Sequence, residues 1–255
     1  MTIRRIIIGA ALLAGGAFSA FSQAFEGEAS VKYSTPFKLD VSASLDYRTS
    51  DRFADTDRWG VGVDLGYKPL KYLKINAGYV FMQDHYGKSV DKSGRNVDSF
   101  WAAKNRVYAG VTGSLKVWKF TLSLRERYQF TYREGLEVPR FWDGGIPAGN
   151  KTVEPKYKHV LRSRLQLDFK PYKKCKFEPY VSYELYSQLK SIKRVKGQSE
   201  SRGARLADKQ RVTVGCSYKI NKHNSVELYY RYNHVTDTDD LDAAHFIGAG
   251  YAFKF

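Results

Sequence analysis

The stretch that decides the fold closes the chain: "IGAGYAFKF", from Ile247 to Phe255. Read in steps of two from Ile247, apolar and aromatic side chains fall on one side, and small or charged side chains alternate with them. A period of two is typical of a β-strand whose two faces meet different surroundings. One face of this strand therefore needs an apolar neighbour, and the other needs a crowded, more polar one.

The same alternation recurs along the chain, as in "KLDVSASLDYR" (38–48) and "RWGVGVDLGYK" (58–68). Short connections such as "KPLK" (68–71) alternate with long polar ones such as "DHYGKSVDKSGRNVDSFW" (84–101). We therefore predict an all-β fold: an up-and-down antiparallel transmembrane β-barrel of about ten strands, with short periplasmic turns and long extracellular loops. An even count places both ends of the barrel on the short-turn side, although residues 25–35 could add a strand.

A soluble β-sandwich is the alternative fold, because its strands also alternate. Sandwich strands usually run about five or six residues, whereas these approach the roughly nine to eleven that a tilted membrane strand needs. Aromatic residues such as Tyr47, Trp59 and Trp118 also lie near the predicted strand ends. Aromatic girdles of this kind favour the membrane barrel.

The first 24 residues, "MTIRRIIIGAALLAGGAFSAFSQA", have two arginines, an apolar stretch and a small-x-small ending. This pattern predicts a signal peptide cleaved after Ala24, followed by one barrel domain over residues 25–255. The pattern predicts export, and together with the predicted barrel it indicates the outer membrane. The only two cysteines, Cys175 and Cys216, are too few for a disulfide framework, and we expect them to remain unbridged.

Three segments carry a family resemblance: "LRSRLQLDF" (161–169), "FEPYVSYELY" (177–186) and "RVTVGCSYKINKHNSVELYYRYN" (211–233). With the order of elements around them, the chain resembles the domain of unknown function 2490 family of Gram-negative outer-membrane β-barrel proteins. The resemblance implies a location and a fold, and it supplies no catalytic residues. The aromatic ending also looks like the signal that the barrel-assembly machinery reads on its clients; its residues are Tyr251, Phe253 and Phe255.

The polar faces of the strands predict a charge network inside the barrel. Its members are Asp40, Asp46, Asp64, Arg106, Arg125, Arg127, Arg162, Arg164, Asp168, Glu178, Glu184, Arg211, Glu227 and Arg231. A barrel of about ten strands is narrow, and ions packed inside it must pair. We expect an Arg–carboxylate network that fills the lumen; the alternative is a narrow pathway that favours anions.

Four arginines of this set, Arg125, Arg127, Arg162 and Arg164, should form one layer. Carboxylates on the next strands, or a bound anion, must neutralise them. The candidate carboxylates are Asp168, Glu178 and Glu184. Glu126 lies on the strand that carries Arg125 and Arg127, but on its apolar face, where it breaks the alternation. We interpret this as a bulge or a position near the membrane rim.

Catalytic and metal chemistry have weaker support. A surface protease would need Asp and His side chains near the extracellular rim of the barrel. The sequence offers such residues at the predicted extracellular ends of its strands, without a recognisable motif spacing: Asp84, His85, His234, Asp237 and Asp239. The acidic run "TDTDDLD" (236–242) fails the calcium-loop template. We therefore expect no enzyme activity, no catalytic residues, no metal site and no cofactor.

The chain is strongly basic, with 42 Lys+Arg against 26 Asp+Glu and a formal charge of +16, which argues for an anionic partner. The basic loop at 190–205 lacks the aromatic residues that nucleic-acid binding would need, so lipopolysaccharide phosphate is the nearer anion. Its candidate contacts are Lys193, Arg194, Lys196, Arg202 and Arg205. We predict a monomer with a structural or surface-interaction role, whose partners are outer-membrane lipid, lipopolysaccharide and the barrel-assembly machinery. A narrow anion-preferring channel and a surface protease are the alternatives.

Overall fold

The computed structural model describes residues 24–50, 53–172, 174–195, 198–235 and 244–255. Over these residues it contains no helix long and apolar enough to cross a membrane. The strands are β1 (Ala24–Ser34), β2 (Leu39–Ser50), β3 (Asp55–Leu70), β4 (Leu73–Tyr86), β5 (Ser89–Val90), β6 (Asn96–Val97), β7 (Phe100–Val117), β8 (Phe120–Arg133), β9 (Leu136–Phe141), β10 (Pro147–Val153), β11 (Lys156–Phe169), β12 (Phe177–Val195), β13 (Gln198–Arg202), β14 (Arg205–Lys219), β15 (Asn224–Val235) and β16 (His245–Lys254). The predicted signal peptide falls almost entirely on residues 1–23, outside the described residues, and stays a prediction.

Eleven of the described strands form a closed barrel, in the order β1-β2-β3-β4-β7-β8-β11-β12-β14-β15-β16 and back to β1. Sequence neighbours pair antiparallel around the barrel, so the predicted all-β, up-and-down barrel is confirmed. One end, the short-turn end, carries connections 35–38, 71–72, 118–119, 170–176 and 220–223. The opposite, long-loop end carries connections 51–54, 87–99, 134–155, 196–204 and 236–244.

The strand β1 changes the predicted count and closes the barrel. It pairs antiparallel with β2 and parallel with β16, with Ala24 opposite Phe246 and Lys32 opposite Lys254. An odd number of strands makes the first and last strands run in the same direction. The prediction that both ends of the barrel lie on the short-turn side is therefore wrong, because Ala24 lies at the long-loop end and Phe255 at the short-turn end.

Two of the predicted long loops contain a second sheet outside the barrel. The strands β5, β6, β9 and β10 pair in the order β10-β9-β6-β5. Val97 and Val138 pack at its centre with only 1% of each exposed. We call this element the loop sheet. β2 ends at Ser50 and β3 begins at Asp55, so the connection between them is short, residues 51–54.

The two faces of the barrel strands follow the predicted alternation. In β2, Leu39, Val41 and Leu45 are exposed, whereas Asp40 between them is buried. Because successive side chains of a strand point to opposite faces, the apolar set faces outward and the polar set faces the lumen. The apolar face of β16 likewise faces outward. On its inner face, the Tyr229 ring occupies the space beside Gly248 that a larger side chain would fill.

Glu126 is the exception on the outer face, and its predicted cause is wrong. The pairing of β8 with β7 and with β11 has no register shift at this residue, so there is no bulge. Glu126 lies near the middle of β8 rather than at a rim, and it faces outward. The hydroxyl of Ser163, its partner in β11, donates a hydrogen bond of 2.6 Å to the Glu126 carboxylate.

Candidate functional site

The four arginines expected to form one layer are direct neighbours on β8 and β11. Arg127 stands opposite Arg162, and Arg125 stands opposite Arg164. Cations in adjacent register positions repel one another unless anions lie between them. The lumen must therefore supply acceptors at this level.

Glu184 of β12 supplies the main carboxylate at this level, and only 3% of its side chain is exposed. Arg162 donates to both of its oxygens at 3.0 and 2.8 Å, and Arg125 donates at 2.6 Å. Arg211 lies 3.6 Å away, and the Tyr186 hydroxyl donates at 2.9 Å. This group, the Glu184 cluster, ties four strands together across one side of the lumen: β8, β11, β12 and β14.

The other predicted carboxylates do not neutralise this layer. Asp168 accepts a hydrogen bond from Gln166 at 2.6 Å, and Gln166 accepts one in turn from Arg164 at 2.5 Å. Glu178 lies at the short-turn end, where Lys170 and Lys219 bind it at 2.5 and 2.8 Å. The expectation that Asp168 and Glu178 pair directly with the arginine layer is therefore wrong.

Further ion pairs occupy the two ends of the lumen. Near the long-loop end, Arg58 binds Asp84 through two hydrogen bonds of 2.5 and 2.7 Å, and Lys104 also contacts Asp84. Arg231 of β15 pairs with Glu26 of β1. These contacts join strands on several sides of the barrel.

Near the short-turn end, carboxylates meet lysines and neutral donors. Asp40 binds Lys32 at 2.8 Å and Lys68 at 3.2 Å. Asp64 accepts hydrogen bonds from Asn76 at 2.8 Å and from Tyr108 at 2.9 Å. Two further members have a neutral partner: Glu227 is hydrogen-bonded to Tyr180, and Arg211, besides its contact with Glu184, donates to Asn233 at 3.0 Å.

Side chains do not fill the lumen completely. A cavity of about 730 Å³ lies on the short-turn side and another of about 390 Å³ on the long-loop side. Among the described residues, the lining of the second cavity holds twelve basic and four acidic side chains. Much of the chain's positive charge is therefore gathered inside the barrel rather than spread over its surface.

Sequence reasoning missed several lumen residues, and most of them lie on β1 or near strand ends. Glu26 and Glu28 are absent from the predicted network because residues 25–35 are only a possible addition to the ten predicted strands. The alternation in "EGEASVKYS" (26–34), with Glu, Glu, Ser and Lys on one face, was the available signal. By alternation, Tyr186 falls on the same face of its strand as Glu184, but the hydrogen bond between them depends on geometry that the sequence does not carry.

The proposed protease group does not assemble in the described part of the chain. Asp84 faces the lumen and is held by Arg58, whereas His85 faces outward, 5.0 Å from the Trp101 ring centre. His234 is exposed on β15, which is not a neighbour of β4. Asp237 and Asp239 lie outside the described residues. No group of three metal-ligating side chains forms among the residues that are described, and the acidic run at 236–242 falls outside them.

The surface predictions are only partly visible. Tyr251 and Phe253 lie on the outward face of β16, Phe255 follows its last residue, and the rings of Phe253 and Phe255 pack edge-on with their centres 4.8 Å apart. In the basic loop, Arg205 is exposed. Lys196, and the side chains of Lys193, Arg194 and Arg202, lie outside what the structure describes.

A closed up-and-down barrel with an apolar outer face and an ionised lumen defines the class of narrow β-barrel proteins. The chain belongs to the family described as "Protein of unknown function (DUF2490)", which it matches over residues 27–244. No match was found among curated proteins.

Two solved structures show what the barrel is similar to. The toluene transporter TodX of Pseudomonas putida matches at 10% identity with a TM-score of 0.41, over 79% of this chain and 66% of the transporter. This chain therefore spans just under two thirds of the transporter's length. The outer membrane protease OmpT of Escherichia coli matches at 10% identity with a TM-score of 0.39, over 88% of this chain and 86% of the protease.

Proposed function

We propose that this protein is an integral outer-membrane barrel of a Gram-negative bacterium, with a narrow lumen and a structural or surface-interaction role rather than an enzymatic one. The observation that carries the membrane assignment is the outer face, where every barrel strand exposes a large apolar or aromatic side chain. One from each strand is Val31, Leu45, Val63, Ile75, Val111, Leu124, Leu165, Val181, Val214, Leu228 and Tyr251. An apolar surface that surrounds a molecule is typical of contact with lipid.

Aromatic side chains support the same assignment at both ends of this belt. In β3, Tyr67 lies near the short-turn end, and Trp59, eight residues earlier in the chain, lies toward the long-loop end. At about 3.3 Å per residue, these positions are roughly 26 Å apart along the strand, or about 20 Å along the barrel axis at a strand tilt of about 40°, which is close to the height of the apolar band of an outer-membrane barrel. Tyr72 and Trp118, in short turns, are also exposed. By this assignment the short-turn end is periplasmic and the long-loop end is extracellular.

The Glu184 cluster supports a narrow, largely occluded lumen. It joins β8, β11, β12 and β14 through charge-assisted hydrogen bonds, and it stands beside the two cavities. The proposed partners are outer-membrane lipid, lipopolysaccharide at the basic loop, and the barrel-assembly machinery at the aromatic end of the chain. We propose that the barrel works as a monomer.

Conductance of the refolded protein in planar lipid bilayers tests this role. We expect no current steps of porin size, because a barrel of eleven strands is narrow and buried ion pairs project from its wall into the lumen. Frequent, well-defined current steps from stable protein would contradict an occluded barrel.

A narrow anion-preferring channel is the second candidate, and the basic lining of the 390 Å³ cavity favours it. The same recording separates the two. A reversal potential shifted toward the chloride equilibrium potential, together with stable steps, would support the channel.

A further inference from the structure

The two cavities share five lining side chains: Glu28, Asp46, Arg106, Arg127 and Arg162. Because these five line both cavities, they lie at the junction, which we call the lumen waist. The arginines come from three adjacent strands, β7, β8 and β11, and the carboxylates come from the adjacent strands β1 and β2. Since β1 is nearly opposite β8 in the order of strands, the waist has walls of opposite charge.

The acidic wall consists of two carboxylates side by side. Glu28 and Asp46 stand directly opposite each other in the pairing of β1 with β2. Their outer neighbours in the ladder are glycines, Gly250 beside Glu28 and Gly60 beside Asp46. Among the described residues, neither carboxylate has a basic group within 4.0 Å. Adjacent like charges are destabilising, so this wall is suited to a cationic group.

The basic wall is held by neutral partners. The Arg127 guanidinium lies 4.2 Å from the centre of the Tyr108 ring, and its buried Nε has no hydrogen-bond partner in the described protein. Arg106 donates through Nε to the hydroxyl of Thr131 at 3.1 Å. Arg162, in contrast, is engaged by Glu184. The terminal nitrogens of Arg106 and Arg127 therefore face the waist without a carboxylate, in the planar arrangement that suits carboxylate or phosphate.

We propose that the lumen waist binds a small soluble zwitterion, with its carboxylate or phosphate at Arg106 and Arg127 and its ammonium group at Glu28 and Asp46. A simple anion would leave the two carboxylates facing each other, and a simple cation would leave the two arginines without an acceptor. A molecule that carries both charges satisfies both walls at once. This binding goes beyond the proposed structural role and requires only the folded barrel, whether or not the barrel conducts.

The test compares three probes of nearly equal size: 4-aminobutyrate, butyrate and butylamine. Each is titrated by calorimetry into the full-length protein, refolded in detergent micelles, with folding checked by heat-modifiable migration on gels. We expect 4-aminobutyrate to bind about tenfold or more tightly than either singly charged probe. Equal binding of 4-aminobutyrate and butyrate, or no saturable binding of 4-aminobutyrate, would overturn the proposal without any variant.

Substitutions in each wall then test which wall binds the ammonium group of 4-aminobutyrate and which binds its carboxylate. Asp46→Asn should weaken 4-aminobutyrate about tenfold while leaving butyrate unchanged, and Arg127→Gln should weaken both. Lys74→Gln is the matched control, because Lys74 lines only the larger cavity. An equal loss in the Lys74 variant would show diffuse electrostatic attraction and overturn the site.

A zwitterionic lipid headgroup has the same chemistry as a soluble solute. Acyl chains do not suit a lumen lined by ions, so we commit to the soluble source. Adding phosphatidylethanolamine to the micelles should leave 4-aminobutyrate binding unchanged. Competition by this lipid would contradict a soluble ligand.

Discussion

At the scale of single residues, Glu184 carries the largest expected effect on stability. Replacing it by glutamine leaves Arg125, Arg162 and Arg211 without their shared carboxylate inside the barrel. We expect Glu184→Gln to lower the free energy of unfolding by about 3–5 kcal/mol, the usual cost of breaking a buried pair. Urea unfolding in lipid vesicles measures this change.

The matched control is Glu178→Gln at the short-turn end, where the partners are more exposed. Glu178 has 24% of its side chain exposed, and Lys219 has 50%. We expect a loss of about 1 kcal/mol or less. Similar losses in the two variants would show that the Glu184 cluster is not a special buried group.

Glu126 gives the opposite kind of residue-scale prediction. Its carboxylate faces outward near the middle of β8, where the proposed membrane assignment places lipid. Glu126→Leu should raise the free energy of unfolding in vesicles by about 1 kcal/mol, because a charged group on the lipid face is unfavourable. The reverse change at the next outward position, Leu124→Glu, should lower it. A stability loss in Glu126→Leu would indicate that this patch contacts something more polar than lipid.

The sequence predicts the face on which each charge lies but not its partner. Arg125 and Arg127 fall on the polar face of one strand by simple alternation. That Glu184, rather than Asp168, receives Arg125 depends on the strand register and on the curvature of the barrel. The period of two determines which face of the strand a side chain is on. It determines neither the register between neighbouring strands nor the curvature of the barrel.

At the scale of elements, the parallel contact of β1 with β16 is the feature most open to a direct test. Ala29 stands opposite Tyr251 in this pairing, and both face outward. In a background with Cys175 and Cys216 changed to serine, the pair Ala29→Cys with Tyr251→Cys should form a disulfide, because the Cα atoms of paired strands lie within reach.

The control pair is Ala29→Cys with Ile247→Cys, four residues away along β16. It should remain reduced under the same oxidation, as read by intact mass. Cross-linking of the control pair alone, or of neither pair, would contradict closure of the barrel by β1.

The loop sheet should respond to acid through Asp91. Although burial raises the pKa of this carboxyl, hydrogen bonds from the backbone amides of Arg95 and Ser93 lower it from 3.8 to about 2. Arg140 also reaches Asp91 at 3.3 Å, which links the turn after β5 to β9. A lowered pKa means that the stabilising contribution is complete above about pH 4 and is lost as the pH falls through about 2.

Nuclear magnetic resonance titration of the Ser93 and Arg95 amide protons measures this transition. We expect a midpoint near pH 2 and its disappearance in Asp91→Asn. A midpoint close to 3.8 would mean that these hydrogen bonds contribute little to the state of Asp91 in solution.

Most barrel strands could be predicted, whereas β1 was only a possible additional strand and the loop sheet could not be predicted. In β2 and β3 the outward face carries large side chains such as Leu45 and Trp59, which makes the alternation plain. The outward face of β1 includes Gly27 and Ala29, so its apolar signal is weak. The strands of the loop sheet are short, and their pairing across two separate loops leaves no local periodicity.

At the scale of the whole molecule, the additional strand β1 makes the first and last strands of the barrel pair in parallel, whereas ten strands would have paired them antiparallel. Up-and-down topology follows from alternating short and long connections, so it could be predicted without knowing the count. Whether the first and last strands pair parallel or antiparallel depends on whether the number of strands is odd or even. The high positive charge was also visible in the sequence, but its concentration inside the lumen appears only once the strands are curled into a barrel.

We propose that this barrel spans a lipid bilayer with its alternating apolar face outward. Nitroxide labels placed one at a time at residues 41–47 of β2, in protein refolded into vesicles, test it through their accessibility to oxygen and to a water-soluble nickel chelate. We expect oxygen accessibility to peak at Val41, Ala43 and Leu45 and to fall at Ser42, Ser44 and Asp46, with little chelate access at the outward positions. Chelate access at Val41, Ala43 and Leu45, or no alternation along β2, would contradict a membrane-spanning barrel.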